Sequence, residues 1–260
     1  MARESRKESP TKYYHVMMRG NNKEMIFENE AEKQYFLDQL QFQINQNNIK
    51  AAAYCIMDNH VHLLINADML TMSESLKWIN IKFASKYNHK YERIGHVFQG
   101  RYKSEIINNE NHLVQVLRYI HNNPVSAKMV SKVSEYKWSS YNHYLLEKDN
   151  IIDSYEKQLI LEVFSKSTKQ FQEFHLKEET NEFLEISIDL ERQREEKAER
   201  IIARYLDIHN IKDYDDLRNN KELLEQLVID IIKISKLSHR RISELLGLNR
   251  GRIHSISKKH

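Results

Sequence analysis

The segment "MDNHVHLLI", residues 57–65, places His60 and His62 two apart with Val61 between them. In a strand, alternate side chains share a face. The two imidazoles therefore project together, with Val61 and Leu63 on the other side. Side by side, two neutral imidazoles are half of a metal site, although such pairs also occur as surface or satisfied core residues. A second constellation lies downstream. In "LRYIHNNPV" (117–125), Tyr119 and Asn123 are four apart, which on a helix is one face, one turn apart. If that face packs against the histidine strand, two imidazoles and an amide oxygen form an incomplete coordination shell. Such a shell leaves open positions for phosphate oxygens. A tyrosine one turn away can attack the polarised phosphorus. Free tyrosine ionises only near pH ~10, so it needs the metal or a base. No base is identifiable, because His121 is two residues on and faces elsewhere.

The elements that must position these groups follow from hydrophobic period and turn residues. "YYHVMMRG" (13–20) reads as a strand ending in a Gly-Asn-Asn turn. Residues 29–48 read as a helix through Phe36, Leu37, Leu40 and Ile44. Residues 49–57 and 60–66 form a hairpin around Asp58 and Asn59. Residues 73–91 form a helix with Ser73 as N-cap and Trp78 in its core face. A third long strand is expected over 95–107. A helix over 109–123 is expected to stop at Pro124. This order describes an α+β domain on an antiparallel sheet.

Arg19, at the end of the first strand, and Arg101 and Lys103, alternating onto one strand face, are candidates for phosphate contacts. Phe98 and Tyr102 are candidates for base stacking, with core packing the stronger reading for Phe98. His15 and Tyr14 are accounted for by strand composition.

Charge divides the 260 residues. Residues 1–146 carry 19 Lys and Arg against 14 Asp and Glu; residues 147–196 carry 7 against 14; residues 236–260 carry 7 against 1. Two basic units around an acidic connector suit a polyanionic partner. The second half is helical in pattern, with periodic segments at 154–175, 191–209 and 221–235. Its end, "LSHRRISELLGLNRGRIHSISKK" (237–259), has apolar Ile242, Leu246, Leu248, Ile253 and Ile256, with Gly247 where a tight turn needs it. That spacing suggests a helix-turn-helix, whose second helix would present Asn249, Arg250 and Arg252 to DNA. Gly251 is the one residue there that disfavours a helix. No apolar run approaches a membrane span, and the N-terminus lacks a signal peptide's apolar stretch. The single cysteine, Cys55, excludes an intrachain disulfide and suits a reducing cytoplasm.

Taken together, "YYHVMMRGNNKEMIF", "MDNHVHLLI", "GHVFQGRYKSEII" and "YIHNNPV" resemble the successive blocks of the single-tyrosine HUH transposases, and within them the REP-associated tyrosine transposase group. The C-terminal part resembles the tail of longer members. The resemblance implies a ferredoxin-like catalytic core over 1–146, an acidic helical connector over 147–220 and a helix-turn-helix over 221–260. It implies a divalent ion, Mg2+ or Mn2+, and single-stranded or hairpin DNA. Carried over residue by residue, His60 and His62 are the HUH pair, Tyr119 is the nucleophile, and Asn123 stands where many relatives have glutamine. The implied reaction is DNA nicking and strand transfer through a 5′-phosphotyrosine. Relatives include monomers and homodimers that share the tyrosine. Two other readings stay open: a non-cutting DNA-binding regulator on the same frame, and a water-using metal phosphoesterase in which Tyr119 is structural.

Overall fold

The computed structural model describes residues 7–146, 151–177, 184–209, 211, 217 and 220–259. The chain forms two compact units, Met1–Leu184 and Glu185–His260. Among the described residues no helix is long and apolar enough to cross a membrane.

In the first unit, β1 (Tyr13–Arg19), α1 (Glu30–Asn45), β2 (Lys50–Ile56), β3 (His60–Asn66), α2 (Met69–Lys90) and β4 (Lys103–Ile106) precede α3 (Glu110–Ser126). The sheet is antiparallel in the order β2-β3-β1-β4. This βαββαβ path is the ferredoxin-like arrangement. As a central strand, β1 is buried along its whole length, which is why it reads as nearly all apolar or aromatic. One side of the unit is closed by an aromatic cluster in which Phe36 of α1 and Phe83 of α2 meet Phe27, and Phe83 also meets Phe98. Helix α3 packs against β2 and β3.

Several local expectations change in the folded chain. Helix α2 begins at Met69, with Asp68 at the N-cap position. Met72 and Leu76 are buried, so the apolar period carries the helix one turn upstream of Ser73. Ser73 instead bonds Tyr102 through its hydroxyl, 2.6 Å. The expected long strand shrinks to β4. Gly95 and Gly100 adopt φ of 111° and 76°, and these turns bend residues 95–102 out of the ladder. Only Phe98 keeps a bridge, to Gly20. Helix α3 runs through Pro124 to Ser126. Proline there removes a single ladder bond near the helix end, and Ala127 N–H then closes onto the Asn123 carbonyl at 2.9 Å.

The acidic connector does not behave as one spacer. Its first part forms α4 (Ser154–Val163) and α5 (Thr168–His175), separated by Ser165 and Lys166 at positive φ. Ile160, Phe164 and Phe171 from this part join the first unit's core. The compact division therefore falls at 184/185, because apolar contacts and not net charge decide where a core ends. Residues 147–150, 178–183, 210, 212–216, 218 and 219 of the expected connector lie outside the described residues.

The second unit contains α6 (Leu184–Ile208), α7 (Lys221–Asp230), continued by a π-helical turn over Ile231–Ser235, α8 (His239–Leu246) and α9 (Arg250–Lys259). Its core joins Ala198 and Ile202 of α6 to Leu224, Leu227, Ile242, Leu246, Ile253 and Ile256. Ser238 caps α8 by accepting from Arg241 N–H, and Gly247 ends it at φ 60°. Asn249 Oδ1 accepts from Gly251 N–H at 2.7 Å, which makes Asn249 the N-cap of α9. Gly251 is thus in the first turn, where glycine costs less than in a helix interior.

Candidate active site

The register of the sheet assembles the site. His62 lies opposite Met17 on β1 and Cys55 on β2, and Met17 lies opposite Lys103 on β4. Two residues along, His60 lies opposite Arg19. Strand alternation then puts His60, His62, His15, Arg19, Lys103 and Glu105 on a single face of the sheet. The Tyr119 ring of α3 stands over that face, its centroid 5.4 Å from His62 and 5.8 Å from His15, edge-on to both. The His60 and His62 rings are 4.9 Å apart and nearly perpendicular.

All of these rings are buried, as is Asn123, which follows Tyr119 by one helical turn. The structure therefore brings His60, His62 and Tyr119 together, with Asn123 on the same face of α3.

The tautomer of His60 is fixed by its neighbour. His60 Nδ1 is 2.5 Å from Asn59 Oδ1. An amide oxygen only accepts, so a neutral His60 carries its proton on Nδ1 and its lone pair on Nε2. His62 Nδ1 is likewise engaged, 3.0 Å from His15 Nε2. Metal-bound histidines are held in this way, through the nitrogen that does not bind the ion. The chemistry of these two imidazoles thus fits a divalent cation. Among the described residues no group of three or more His, Cys, Asp or Glu stands together in ligating position.

His121 faces away from Tyr119, as its helix position predicts. It is fully buried between His175 Nε2 at 2.9 Å and Ser140 Oγ at 2.8 Å. Burial, with His175 next to it, pushes its pKa well below the ordinary histidine value. It ties α3 to α5 and takes no part in the site.

The remaining candidates separate. Arg19 is buried at the end of β1, and Gln99 N–H bonds its carbonyl at 2.8 Å. Arg101 and Lys103 are exposed. Phe98 and Tyr102 are buried in the first core, which removes them as stacking platforms. Trp78 is half-buried and stacks on Phe42 at the surface, 4.8 Å between centroids. Asn249, Arg250 and Arg252 are exposed in the second unit, with the side-chain Oδ1 of Asn249 engaged as a cap.

Sequence reading missed His15, Glu105 and Asn59. Parity on β1 was the available signal for His15: it shares a face with Arg19, and so with the histidine pair, once β1 is paired to β3.

Comparison with known proteins bears on the same residues. A family model described as "Transposase IS200 like" matches residues 9–123. A solved REP-associated tyrosine transposase bound to a REP hairpin aligns with 59% of this chain and 92% of its own, at 15% identity and a TM-score of 0.46. No curated protein matches. The matched segment, residues 9–123, carries both histidines, the tyrosine and the asparagine, and over that stretch the chain is similar to the IS200-like transposases.

Proposed function

We propose that this chain is a metal-dependent single-strand DNA nickase and strand transferase of the single-tyrosine HUH type, in the REP-associated group, acting on hairpin or repeat DNA. The observation that carries the reading is the Tyr119 ring seated edge-on against His62, on the face that also holds His60. A divalent ion, Mg2+ or Mn2+, held by His60, His62 and Asn123 would supply Lewis-acid polarisation of the scissile phosphate. Tyr119 oxygen attacks phosphorus, and a tyrosyl P–O bond forms as the bond to the 3′ oxygen breaks. The tyrosine's proton leaves to solvent, and the departing 3′ oxygen takes one up. The phosphodiester energy is retained in the 5′-phosphotyrosine, so a second 3′-OH can reverse the step without ATP. Lys103 and Arg101, exposed at the start of β4 and just before it, are suited to hold the strand's phosphates. In the second unit, the exposed Arg250 and Arg252 are suited to bind duplex DNA, consistent with a helix-turn-helix role for α8 and α9.

That α8–turn–α9 module also favours a second reading, a non-cutting regulator that binds DNA through its C-terminal unit. A denaturing gel separates the two. Protein mixed with end-labelled single-stranded hairpin DNA and Mn2+ should give a covalent shifted band and a free 3′-OH product. His60→Ala, His62→Ala and chelator should each abolish both. Binding with neither band nor cut favours the regulator, and cutting without a band at any time point favours a water-using phosphoesterase.

A further inference from the structure

We propose that Glu105 and His15 form a relay that sets the tautomer of His62, which makes His15 a positioning residue for the site. The idea deepens the function proposed above and rests on His62 as a ligand. Glu105 lies directly opposite His15 across β4 and β1, and His15 lies diagonal to His62 across β1 and β3. His15 Nε2 is 3.0 Å from His62 Nδ1. On the ring's other side, His15 Nδ1 faces Glu105 Oε2 at 3.7 Å. Both of these atoms are buried, and neither has a hydrogen-bond partner. Two orphaned polar atoms of opposite kind that face each other across less than an ångström too much are satisfied by a small closure.

The proton order then follows from what each atom can do. A carboxylate only accepts, so His15 carries its proton on Nδ1. Neutral His15 therefore has its lone pair on Nε2 and accepts from His62 Nδ1–H. That leaves the lone pair of His62 on Nε2, the same nitrogen that Asn59 assigns on His60. Two different neighbours thus give both rings one tautomer, the one a shared cation needs.

The test reads the tautomer without metal. Long-range 1H–15N spectra of 15N-histidine protein, with His62→Asn to assign the resonance, should show His62 protonated on Nδ1. His15→Phe keeps a ring in place but removes the acceptor, and should yield mixed tautomers. Mn2+ affinity, read by the free-ion electron paramagnetic resonance signal, should fall about 10- to 100-fold in that variant. His15→Gln, whose Oε1 takes the place of Nε2, should restore both readouts. Wild-type His62 protonated on Nε2 would overturn the relay, and so would a His15→Phe variant with unchanged tautomer and Mn2+ affinity. The wild-type spectrum decides even if His15→Phe fails to fold. A wild type with the expected tautomer but no Mn2+ uptake would instead sink the metal assignment and leave the relay standing.

Discussion

The ring of Tyr119 meets the ring of His62 edge-on, with centroids 5.4 Å apart and planes at 82°. One residue comes from α3 and the other from β3, 57 positions earlier in the chain. In the proposed reaction this contact joins the nucleophile to a metal ligand, and two such groups on separate elements act together only if those elements pack rigidly.

Phenylalanine at 119 keeps that ring contact and removes the oxygen proposed to attack. Tyr119→Phe should fold and bind Mn2+ and DNA like the wild type, and form no covalent adduct on the denaturing gel. Tyr102 and Tyr136 use their hydroxyls inside the fold, on Ser73 and on the Ile56 carbonyl. Tyr102→Phe and Tyr136→Phe should lose about 1 kcal/mol of stability each and retain the adduct. A full-strength band from Tyr119→Phe would move the nucleophile elsewhere.

Acid should loosen the junction between α3 and α5. His175 Nδ1 donates to the Phe171 carbonyl at 2.8 Å, so its Nε2 accepts from His121 Nδ1–H, and Ser140 completes the chain. Both histidines are held neutral. Burial pushes His175 down to about 4 from 6.5, and His121 is driven down in the same direction. Between pH 6.5 and 4 the unfolded chain takes up protons that the folded chain refuses, so stability falls on acidification through that window. His175 alone should account for about 3 kcal/mol by pH 4. Urea midpoints at pH 7.5, 5.5 and 4.5 should show the fall. His175→Gln should be less stable at pH 7.5 and should have a flatter profile. Parallel profiles for the two proteins would refute this account.

Gly20 is required for space. A Cβ there would stand 2.3 Å from the Glu24 carbonyl oxygen, and the Gly20 N–H bonds the Asn59 carbonyl at 2.8 Å. Gly20→Ala should cost about 1–3 kcal/mol in urea unfolding. Because Asn59 orients His60, the variant should also bind Mn2+ more weakly. Unchanged affinity would show that the strain is absorbed on the Glu24 side of the turn.

Arg250 and Arg252 are exposed at the start of α9. If both neutralise phosphates, Arg250→Ala/Arg252→Ala should lower the slope of log K against log salt by about 2 on duplex DNA. Because both side chains are on the surface, the melting temperature should stay the same. An unaltered salt slope would remove the C-terminal unit from DNA binding.

Several features of this chain were legible as local pattern. The two-residue period of β3 pairs His60 with His62, the four-residue period of α3 pairs Tyr119 with Asn123, and the element order specifies an antiparallel α+β sheet. These are short-range properties, set by backbone geometry within one strand or one helix. Local pattern also misled where long-range packing overrode it. Two glycines bent the third strand, Met72 and Leu76 drew α2 upstream, and Phe164 and Phe171 carried an acidic stretch into the first core. Only the fold could decide which elements face one another. His15 looked like ordinary strand composition until β1 was paired between β3 and β4, because register, a property of two strands at once, sets its neighbours as His62 and Glu105.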